Sequence, residues 1–234
     1  MISEAGRTMP EKFSVEIARG PDVTALAYPA ANHDQIDIAV ILGHGAGAGQ
    51  NSDFMVRFAT GLVKRGIGAV TFNFLYMEQG RGVPDRNETL EVCFRSVLES
   101  VRHRRIGRGT LVIGGKSLGG RIASQIAAAG AHVEGLVFLG YPLHPPGRAD
   151  QLRAKHLPDI KVPMLFVQGS RDAFGTPDEL RPIIQNLKAP ADLYVVEGGD
   201  HSFKVLKRAG ITQEDAYKSA LDRIEFWLRQ TFRH

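Results

Sequence analysis

Short apolar runs alternate with segments of helical periodicity along most of this chain. The near-continuous apolar runs at Ile36 to Leu42 and Thr110 to Gly114 are typical of strands buried on both faces of a sheet. Glu88 to Arg104 instead repeats apolar residues every three or four positions, as one face of a helix does. This alternation predicts an α/β fold in which a mostly parallel, twisted sheet carries helices on both faces.

The first two predicted strands, Phe13 to Ala18 and Val23 to Tyr28, break the alternation. The turn sequence Arg19-Gly20-Pro21-Asp22 joins them and predicts an N-terminal antiparallel hairpin. Later, Thr176-Pro177-Asp178-Glu179 forms a capping box that starts a helix. Further strands are predicted at Ala69 to Phe74, Gly135 to Leu139, Met164 to Gln168 and Leu193 to Val196, and further helices at Asp53 to Arg65, Arg121 to Ala127, Pro177 to Leu187 and Gln213 to Phe232.

Residues Gly115-Lys116-Ser117-Leu118-Gly119 read G-x-S-x-G where the fifth predicted strand meets the following helix. Such a nucleophile elbow points its serine hydroxyl out of the sheet. The turn holds the serine in a strained backbone conformation that costs about 1–3 kcal/mol. The flanking glycines fit, because a strand and a helix that meet in a sharp turn leave no room for Cβ atoms. Lys116 is expected to face outward, with an ion pair to Glu78 as the alternative.

Other interpretations of the glycine-rich segments remain open. The Gly-Lys-Ser sequence also occurs in phosphate-binding loops, but Thr110 stands where that motif requires a glycine. Gly43, Gly45 and Ala48 match the dinucleotide pattern G-x-G-x-x-A, but the next strand ends in Asn73-Phe74 without an acidic residue for a ribose. A chance G-x-S-x-G in a glycine-rich chain is a further alternative.

Three polar residues follow the fifth, seventh and eighth predicted strands: Ser117, Asp172 and His201. The carboxyl ends of parallel strands meet at one edge of a sheet, so these side chains are expected to converge. The chain order Ser, Asp, His is the order found with this elbow. We predict that His201 takes the proton of Ser117 and that Asp172 orients the imidazole. Asp200 competes for the orienting role, but it adjoins His201 and reaches its ring poorly.

The segment Gly43-His44-Gly45-Ala46-Gly47-Ala48-Gly49 follows the third strand and is expected at the same edge. A backbone N–H from this loop, together with that of Leu118, would stabilise a tetrahedral oxyanion. We assign that role to Ala46, with Gly45 as the second choice. His44 is interpreted as a structural hydrogen-bonding residue.

The chain resembles the α/β-hydrolase superfamily through the Gly43 to Gly47 segment, the elbow, Asp172 and Asp200-His201-Ser202. It is most similar to the dienelactone-hydrolase-like branch with the testis-expressed and NSL-complex-subunit-type proteins. The resemblance implies an α/β-hydrolase fold and a serine hydrolase site, but no substrate, and some relatives serve as complex subunits. The narrower similarity rests on Phe72-Asn73-Phe74-Leu75-Tyr76-Met77-Glu78, where Leu75 replaces an expected proline, on Gly114-Gly115-Lys116-Ser117-Leu118-Gly119-Gly120-Arg121, and on Gly140-Tyr141-Pro142-Leu143-His144.

The segment from Tyr141 to Ile160 is where hydrolases of this fold often carry a helical lid. Four prolines interrupt it, so it is expected to hold only a short helix near Asp150 to Lys155, with little or no cap domain. Arg81 and Arg86, in the loop after the fourth strand, are candidates for binding an anionic acyl substrate, because guanidinium groups recognise carboxylates. Solvated arginines, or arginines paired with loop acids, are the competing interpretation. Tyr141 and His144 complete the substrate-binding candidates.

The composition narrows the function classes. The 234 residues are 43% hydrophobic and are expected to form one domain over 1–234, with a flexible N-terminus at 1–12. The net charge of +4 is dispersed over the chain, which argues against nucleic-acid binding. A single cysteine, Cys93, and the lack of a signal or membrane segment favour the cytoplasm. No residues show metal-ligand spacing, and neither a metal nor a cofactor is expected.

Two classes of function therefore remain. The first is a cytoplasmic serine hydrolase, a monomer or homodimer that cleaves small-molecule esters or thioesters through a covalent acyl-enzyme. Peptidase or acyltransferase activity at the same site stays open, because a triad identifies a mechanism and not a leaving group. The second is a binding or scaffold protein that keeps the fold without catalysis.

Overall fold

Eight strands form one sheet in the computed structural model, which describes residues 9–18, 20–30, 37–106, 109–206 and 210–232. The order across the sheet is β1-β2-β4-β3-β5-β6-β7-β8. The hairpin strands β1 and β2 are antiparallel to each other, β2 is antiparallel to β4, and β3 to β8 run parallel. The strands are β1 (Glu11–Val15), β2 (Val23–Tyr28), β3 (Ile38–Gly43), β4 (Gly68–Phe72), β5 (Thr110–Lys116), β6 (Gly135–Leu139), β7 (Met164–Gly169) and β8 (Ala191–Val196).

Helices cover both faces of this sheet, as the alternating pattern predicted. Successive residues of β3 explain why the strands read as continuous apolar runs: Val40 packs toward α1 and α6, and Ile41 packs toward α3 and α4. The fold is the predicted α/β-hydrolase fold with its N-terminal hairpin. The helices are α1 (Asp53–Val63), α2 (Leu75–Glu78), α3 (Asn87–His103), α4 (Leu118–Ala128), α5 (Pro177–Gln185) and α6 (Gln213–Thr231).

The segment after β6 differs from the prediction in one respect. The helix expected near Asp150 to Lys155 is absent from these residues, and a single 3-10 turn occurs later, at Leu157–Asp159. The backbone of Arg153 explains the difference, because its N–H donates to the Leu143 carbonyl over 2.7 Å and its carbonyl accepts from the Tyr141 hydroxyl over 2.8 Å. Backbone groups held in this way are not available for helical hydrogen bonds.

Most predicted element boundaries are correct to within two or three residues. The capping box is present, since the Thr176 hydroxyl accepts from the Glu179 N–H and the Glu179 carboxylate accepts from the Thr176 N–H. The four-residue helix α2 was not predicted. Arg19 of the predicted turn, Ile36 of the predicted third strand and residues 1–8 of the N-terminal segment lie outside the described residues. Within the described ranges, no helix has the length and apolar character needed to cross a membrane.

Candidate active site

Ser117 occupies a strained turn between β5 and α4. Its φ of 50° and ψ of −110° lie in a region that residues with a side chain rarely adopt. The flanking glycines are needed because β3 approaches closely, and a Cβ on either Gly115 or Gly119 would overlap the carbonyl oxygen of Gly43. The local geometry is therefore that of the predicted nucleophile elbow.

Ser117, His201 and Asp172 form a continuous chain of hydrogen bonds. The hydroxyl oxygen of Ser117 lies 2.8 Å from His201 Nε2, and His201 Nδ1 lies 2.9 and 2.8 Å from the two carboxylate oxygens of Asp172. A carboxylate can only accept, so Nδ1 carries the proton that faces Asp172. Nε2 is then left as an acceptor for the Ser117 hydroxyl proton, which is the arrangement that general-base activation of a serine requires.

The carboxylate of Asp172 is held by two further donors in the core. Asp172 is 1% exposed. Its Oδ2 accepts from Gln168 Nε2 and its Oδ1 accepts from the Phe174 N–H, each over 2.8 Å. Gln168 is anchored in turn, because its Oε1 accepts from the Tyr141 N–H over 2.8 Å. Sequence reasoning missed Gln168, although a polar residue at the end of a buried strand, four positions before the aspartate, was a usable signal.

The loop after β8 brings His201 across the ends of β7 and β6 to reach Ser117. Two glycines clear its path: a Cβ on Gly169 would overlap the Asp200 carbonyl oxygen, and a Cβ on Gly140 would lie 2.8 Å from the His201 carbonyl oxygen. The ring of Phe174 stacks on the imidazole, with ring centroids 4.1 Å apart. These contacts place the His201 imidazole over the Ser117 hydroxyl.

Asp200 has a different task from Asp172. Its Oδ1 accepts from the backbone N–H groups of Ser202 and Lys204, over 2.8 and 2.9 Å. These bonds close the turn that carries His201. Asp172 and Asp200 therefore bind different partners: Asp172 binds the imidazole of His201, and Asp200 binds backbone N–H groups.

Lys116 faces inward, so the predictions of an outward orientation and a pair with Glu78 are both wrong. The residue is 7% exposed, and its Nζ donates to the main-chain carbonyl of His201. Burial lowers the pKa of its ammonium group to about 8, although the nearby Asp172 and Asp200 act in the opposite direction. Glu78 instead accepts from the Thr24 hydroxyl over 2.6 Å and from the Asn73 amide over 2.9 Å.

The loop after β3 is held beside the elbow by side chains of its own region. His44 Nδ1 donates to the Gly45 carbonyl over 2.8 Å, and its Nε2 accepts from the Phe74 N–H over 3.0 Å. Burial lowers the pKa of His44 to about 4, so the ring is neutral at neutral pH. The Tyr76 hydroxyl donates to the Ala46 carbonyl over 3.0 Å. His44 is therefore a structural residue, as predicted.

A cavity of about 350 Å³ opens onto the Ser117 side chain. Its walls combine the small residues of the β3 loop with aromatic, apolar and polar side chains. It is lined by Gly45, Ala46, Gly47, Ala48, Ser52, Phe54, Met55, Lys116, Ser117, Phe174, His201 and Ser202. A larger groove of about 670 Å³ lies between β1 and α3, far from this chemistry, and its lining includes none of the three hydrogen-bonded residues.

The two predicted substrate-binding arginines lie outside the lining of this cavity. Arg81 pairs with Asp85 over 2.6 Å, and the other Asp85 oxygen accepts from the Tyr76 N–H over 3.0 Å. Arg86 is exposed and precedes the first residue of α3. The competing interpretation, an arginine that ties the loop to an acidic neighbour, describes the contacts of Arg81.

Tyr141 and His144 are buried residues of the loop after β6 and do not line the cavity either. The Tyr141 side chain is fully buried, and its hydroxyl is taken up by the Arg153 carbonyl. His144 is 5% exposed, with Nδ1 2.8 Å from the Pro145 carbonyl and Nε2 3.2 Å from the Glu179 carboxylate. Their polar atoms are satisfied within the protein, so a role in substrate binding has no contact to support it.

Comparison with solved structures finds similar folds among hydrolases. An alpha-beta serine hydrolase homologue from Coxiella burnetii is similar, with 18% identity, a TM-score of 0.71, and coverage of 97% of this chain and 100% of that chain. A serine hydrolase without lid from Xanthomonas campestris has 19% identity, a TM-score of 0.70, and coverage of 99% and 97%. A dienelactone hydrolase from Anabaena variabilis has 18% identity, a TM-score of 0.72, and coverage of 96% and 100%.

These likenesses concern the fold, since sequence identity is low. The family is identified from the sequence. A family model described as an alpha/beta hydrolase domain matches residues 36–229, which includes the elbow and both of its hydrogen-bonded partners. The chain belongs to the alpha/beta hydrolase domain family.

Proposed function

We propose that this protein is a serine hydrolase that cleaves ester or thioester bonds of small molecules through a covalent acyl-enzyme. The observation that carries the proposal is the unbroken hydrogen-bond chain from Ser117 Oγ through His201 to Asp172, at a cavity large enough for a small substrate. A strained serine costs folding free energy, and a purely structural role offers nothing that repays that cost.

The reaction begins when Ser117 Oγ attacks the substrate carbonyl carbon while its proton moves to His201 Nε2. The imidazolium that forms is stabilised by the Asp172 carboxylate. The carbonyl electrons move onto the oxygen, and the Leu118 and Ala46 N–H groups are the proposed donors to this oxyanion. Leu118 begins α4, so its N–H has no partner within the helix. Ala46 is on the cavity wall beside Ser117.

Collapse of the tetrahedral intermediate expels the alcohol or thiol, which takes the proton from Nε2. The acyl group is then bonded to Ser117. A water molecule, deprotonated by the same imidazole, attacks the acyl carbon in a second round of the same steps. This round releases the carboxylic acid and returns the proton to Ser117.

The cavity walls favour short, uncharged acyl groups. Phe54, Met55 and Phe174 supply apolar surface, and the segment from Gly45 to Ala48 adds small side chains. About 350 Å³ lies at the small end of ligand pockets, which argues for a small substrate. The segment between β6 and β7 adds only one 3-10 turn over the described residues, so the site is open to small esters without a helical lid.

A fluorophosphonate probe followed by mass spectrometry tests the proposal. Ser117→Ala is the decisive variant, and Ser202→Ala is its matched control, because both serines line the cavity. We expect a single adduct on Ser117 in the wild type and in Ser202→Ala, no adduct in Ser117→Ala, and greatly slowed labelling in His201→Ala. A folded wild-type protein that stays unlabelled and does not turn over p-nitrophenyl acetate would instead favour a binding or scaffold protein.

Further properties belong to the same proposal. Among alpha/beta hydrolases, the three longer motifs favour the branch with the testis-expressed and NSL-complex-subunit-type proteins. One sheet contains all eight strands, which supports a single domain over 1–234. The sole cysteine, Cys93, is a buried free thiol, consistent with the cytoplasm. Light scattering of the purified protein distinguishes the proposed monomer or homodimer from larger assemblies.

A further inference from the structure

Lys116 is an unusual residue to find behind the elbow. It is the last residue of β5 and directly precedes Ser117, yet its side chain is turned inward and is 7% exposed. The stem packs against the loop after β3, where a Cβ on Gly45 would lie 3.4 Å from Lys116 Cγ. The ammonium group reaches the main-chain carbonyl of His201. One side chain therefore connects the strand of the nucleophile to the loop of the base.

The surroundings of the ammonium group are built to hold it there. The ring centroid of Phe54, at the start of α1, lies 5.4 Å from Nζ, and that ring stacks on Phe58 with centroids 4.6 Å apart. Gly140 leaves the space for the contact, because a Cβ at that position would lie 3.2 Å from Lys116 Nζ and 2.8 Å from the His201 carbonyl oxygen. The start of α1 and the residue that follows β6 thus enclose the bond between Lys116 and His201.

A buried cation is a costly way to fill space, because a neutral side chain of the same length would avoid the loss of hydration. The group that the cation binds, the main-chain carbonyl of His201, indicates its role. Asp172 and Phe174 hold the imidazole ring of His201, but neither holds its main chain. Without the Lys116 ammonium group as a donor to its carbonyl, the main chain of His201 would lose its direct bond to β5.

We propose that Lys116 is a positioning residue, which keeps His201 Nε2 in register with Ser117 Oγ by binding the His201 carbonyl. This inference rests on the proposed function, since it concerns the same nucleophile and base. Displacement of a reacting group by about 1 Å costs up to about 100-fold in rate. The contribution of Lys116 therefore belongs to kcat and not to substrate affinity.

The test compares Lys116→Met, which keeps an unbranched stem but removes the charge and the donor, with Lys116→Arg, which keeps both. Lys161→Met, at an exposed lysine, is the matched control. Kinetic constants are measured per active site, with sites counted by fluorophosphonate labelling of Ser117 carried to completion, so that a loss of folded protein does not imitate a loss of rate. Neutral acetyl esters and anionic succinyl esters are both used.

We expect kcat per labelled site to fall about 10- to 100-fold in Lys116→Met on both esters, with KM within about threefold of the wild type. Lys116→Arg is expected to recover part of the loss, and Lys161→Met to match the wild type. If Lys116→Met does not fold, Lys116→Leu gives the same comparison with a shorter side chain that also lacks a donor.

Two results would overturn the inference. Wild-type kcat per site in the Met or Leu variant would show that the bond to His201 does not position the base. A rise of KM confined to the succinyl ester, with kcat unchanged, would assign Lys116 to substrate binding. Failure of the proposed function is distinguishable, because in that case the wild-type Ser117 itself is not labelled.

Discussion

Ser117 Oγ and His201 Nε2 lie 2.8 Å apart, although the two residues are 84 positions apart in the chain. Ser117 follows β5 and His201 follows β8, with two strands between them in the sheet. The histidine loop spans this distance across the ends of the intervening strands, where Gly169 and Gly140 give it room. The chemistry of the site therefore depends on the course of this loop as much as on the elbow.

Asp172→Asn should nearly abolish turnover, whereas Asp200→Asn should have little effect. An asparagine at 172 would turn an amide donor toward Gln168, Phe174 or His201, all of which donate to the present carboxylate. The imidazole would then no longer be held in the tautomer that carries its proton on Nδ1. We expect kcat to fall about 10³- to 10⁴-fold. Asp200 binds backbone N–H groups through Oδ1 alone, which an asparagine oxygen can replace. Steady-state kinetics on p-nitrophenyl acetate checks both, and equal losses would contradict the separate roles.

Gly119→Ala should destabilise the fold, because its Cβ would overlap the carbonyl oxygen of Gly43, a backbone atom of a strand inside the sheet. We expect the free energy of unfolding to fall by at least about 2 kcal/mol. Gly47→Ala is the matched control in the neighbouring loop, where a Cβ meets nothing within 4 Å. Urea unfolding followed by circular dichroism measures both. A Gly119→Ala protein as stable as the wild type would contradict the close approach of β3 and the elbow.

The protein should lose stability as the pH falls from 6.5 toward 4, in part through His44. Burial lowers the pKa of this histidine from 6.5 to about 4, so the unfolded chain binds a proton more readily than the folded protein in this interval. Stability therefore rises with pH across this window and is fully present above it. We expect this residue to contribute a loss of about 2 kcal/mol between pH 7 and pH 4.5.

Urea unfolding at both pH values, in the wild type and in His44→Gln, isolates that contribution. The variant is less stable at pH 7, since it alters the bonds to Gly45 and Phe74, but its stability should fall less on acidification. His132→Gln, at a histidine whose side chain is 85% exposed, is the control and should keep the wild-type dependence on pH. Parallel losses in all three proteins would exclude His44 as a source of acid sensitivity.

Arg81→Ala should leave the ratio of rates on succinyl and acetyl esters unchanged. The guanidinium is engaged with Asp85 and lies outside the residues that line the cavity. Its removal is expected to loosen the loop after α2, because Asp85 also accepts from the Tyr76 N–H, and so to affect stability slightly. A selective loss of activity on the anionic ester would restore Arg81 as a substrate-binding residue.

Local sequence patterns were sufficient to predict the architecture. Continuous apolar runs, the helical repeat of Glu88 to Arg104 and the turn after Ala18 predicted the sheet, its hairpin and most helices, because periodicity and turn chemistry act between near neighbours. The same holds for the elbow around Ser117, where a short motif carries both the strain and the glycines that permit it. The order of Ser117, Asp172 and His201 after the fifth, seventh and eighth strands indicated their meeting at one edge.

Tertiary structure alone decided what surrounds those three residues. The inward turn of Lys116 depends on a carbonyl 85 positions away, and the anchoring of Asp172 by Gln168 depends on the fold of the loops around β7. Arg81 and Tyr141 looked available in the sequence, but their partners, Asp85 and the Arg153 carbonyl, occupy them in the folded chain. Such pairings are set by how distant loops pack over the strand ends; a local pattern can mark a polar residue as a candidate, as at Gln168, but it does not give the partner.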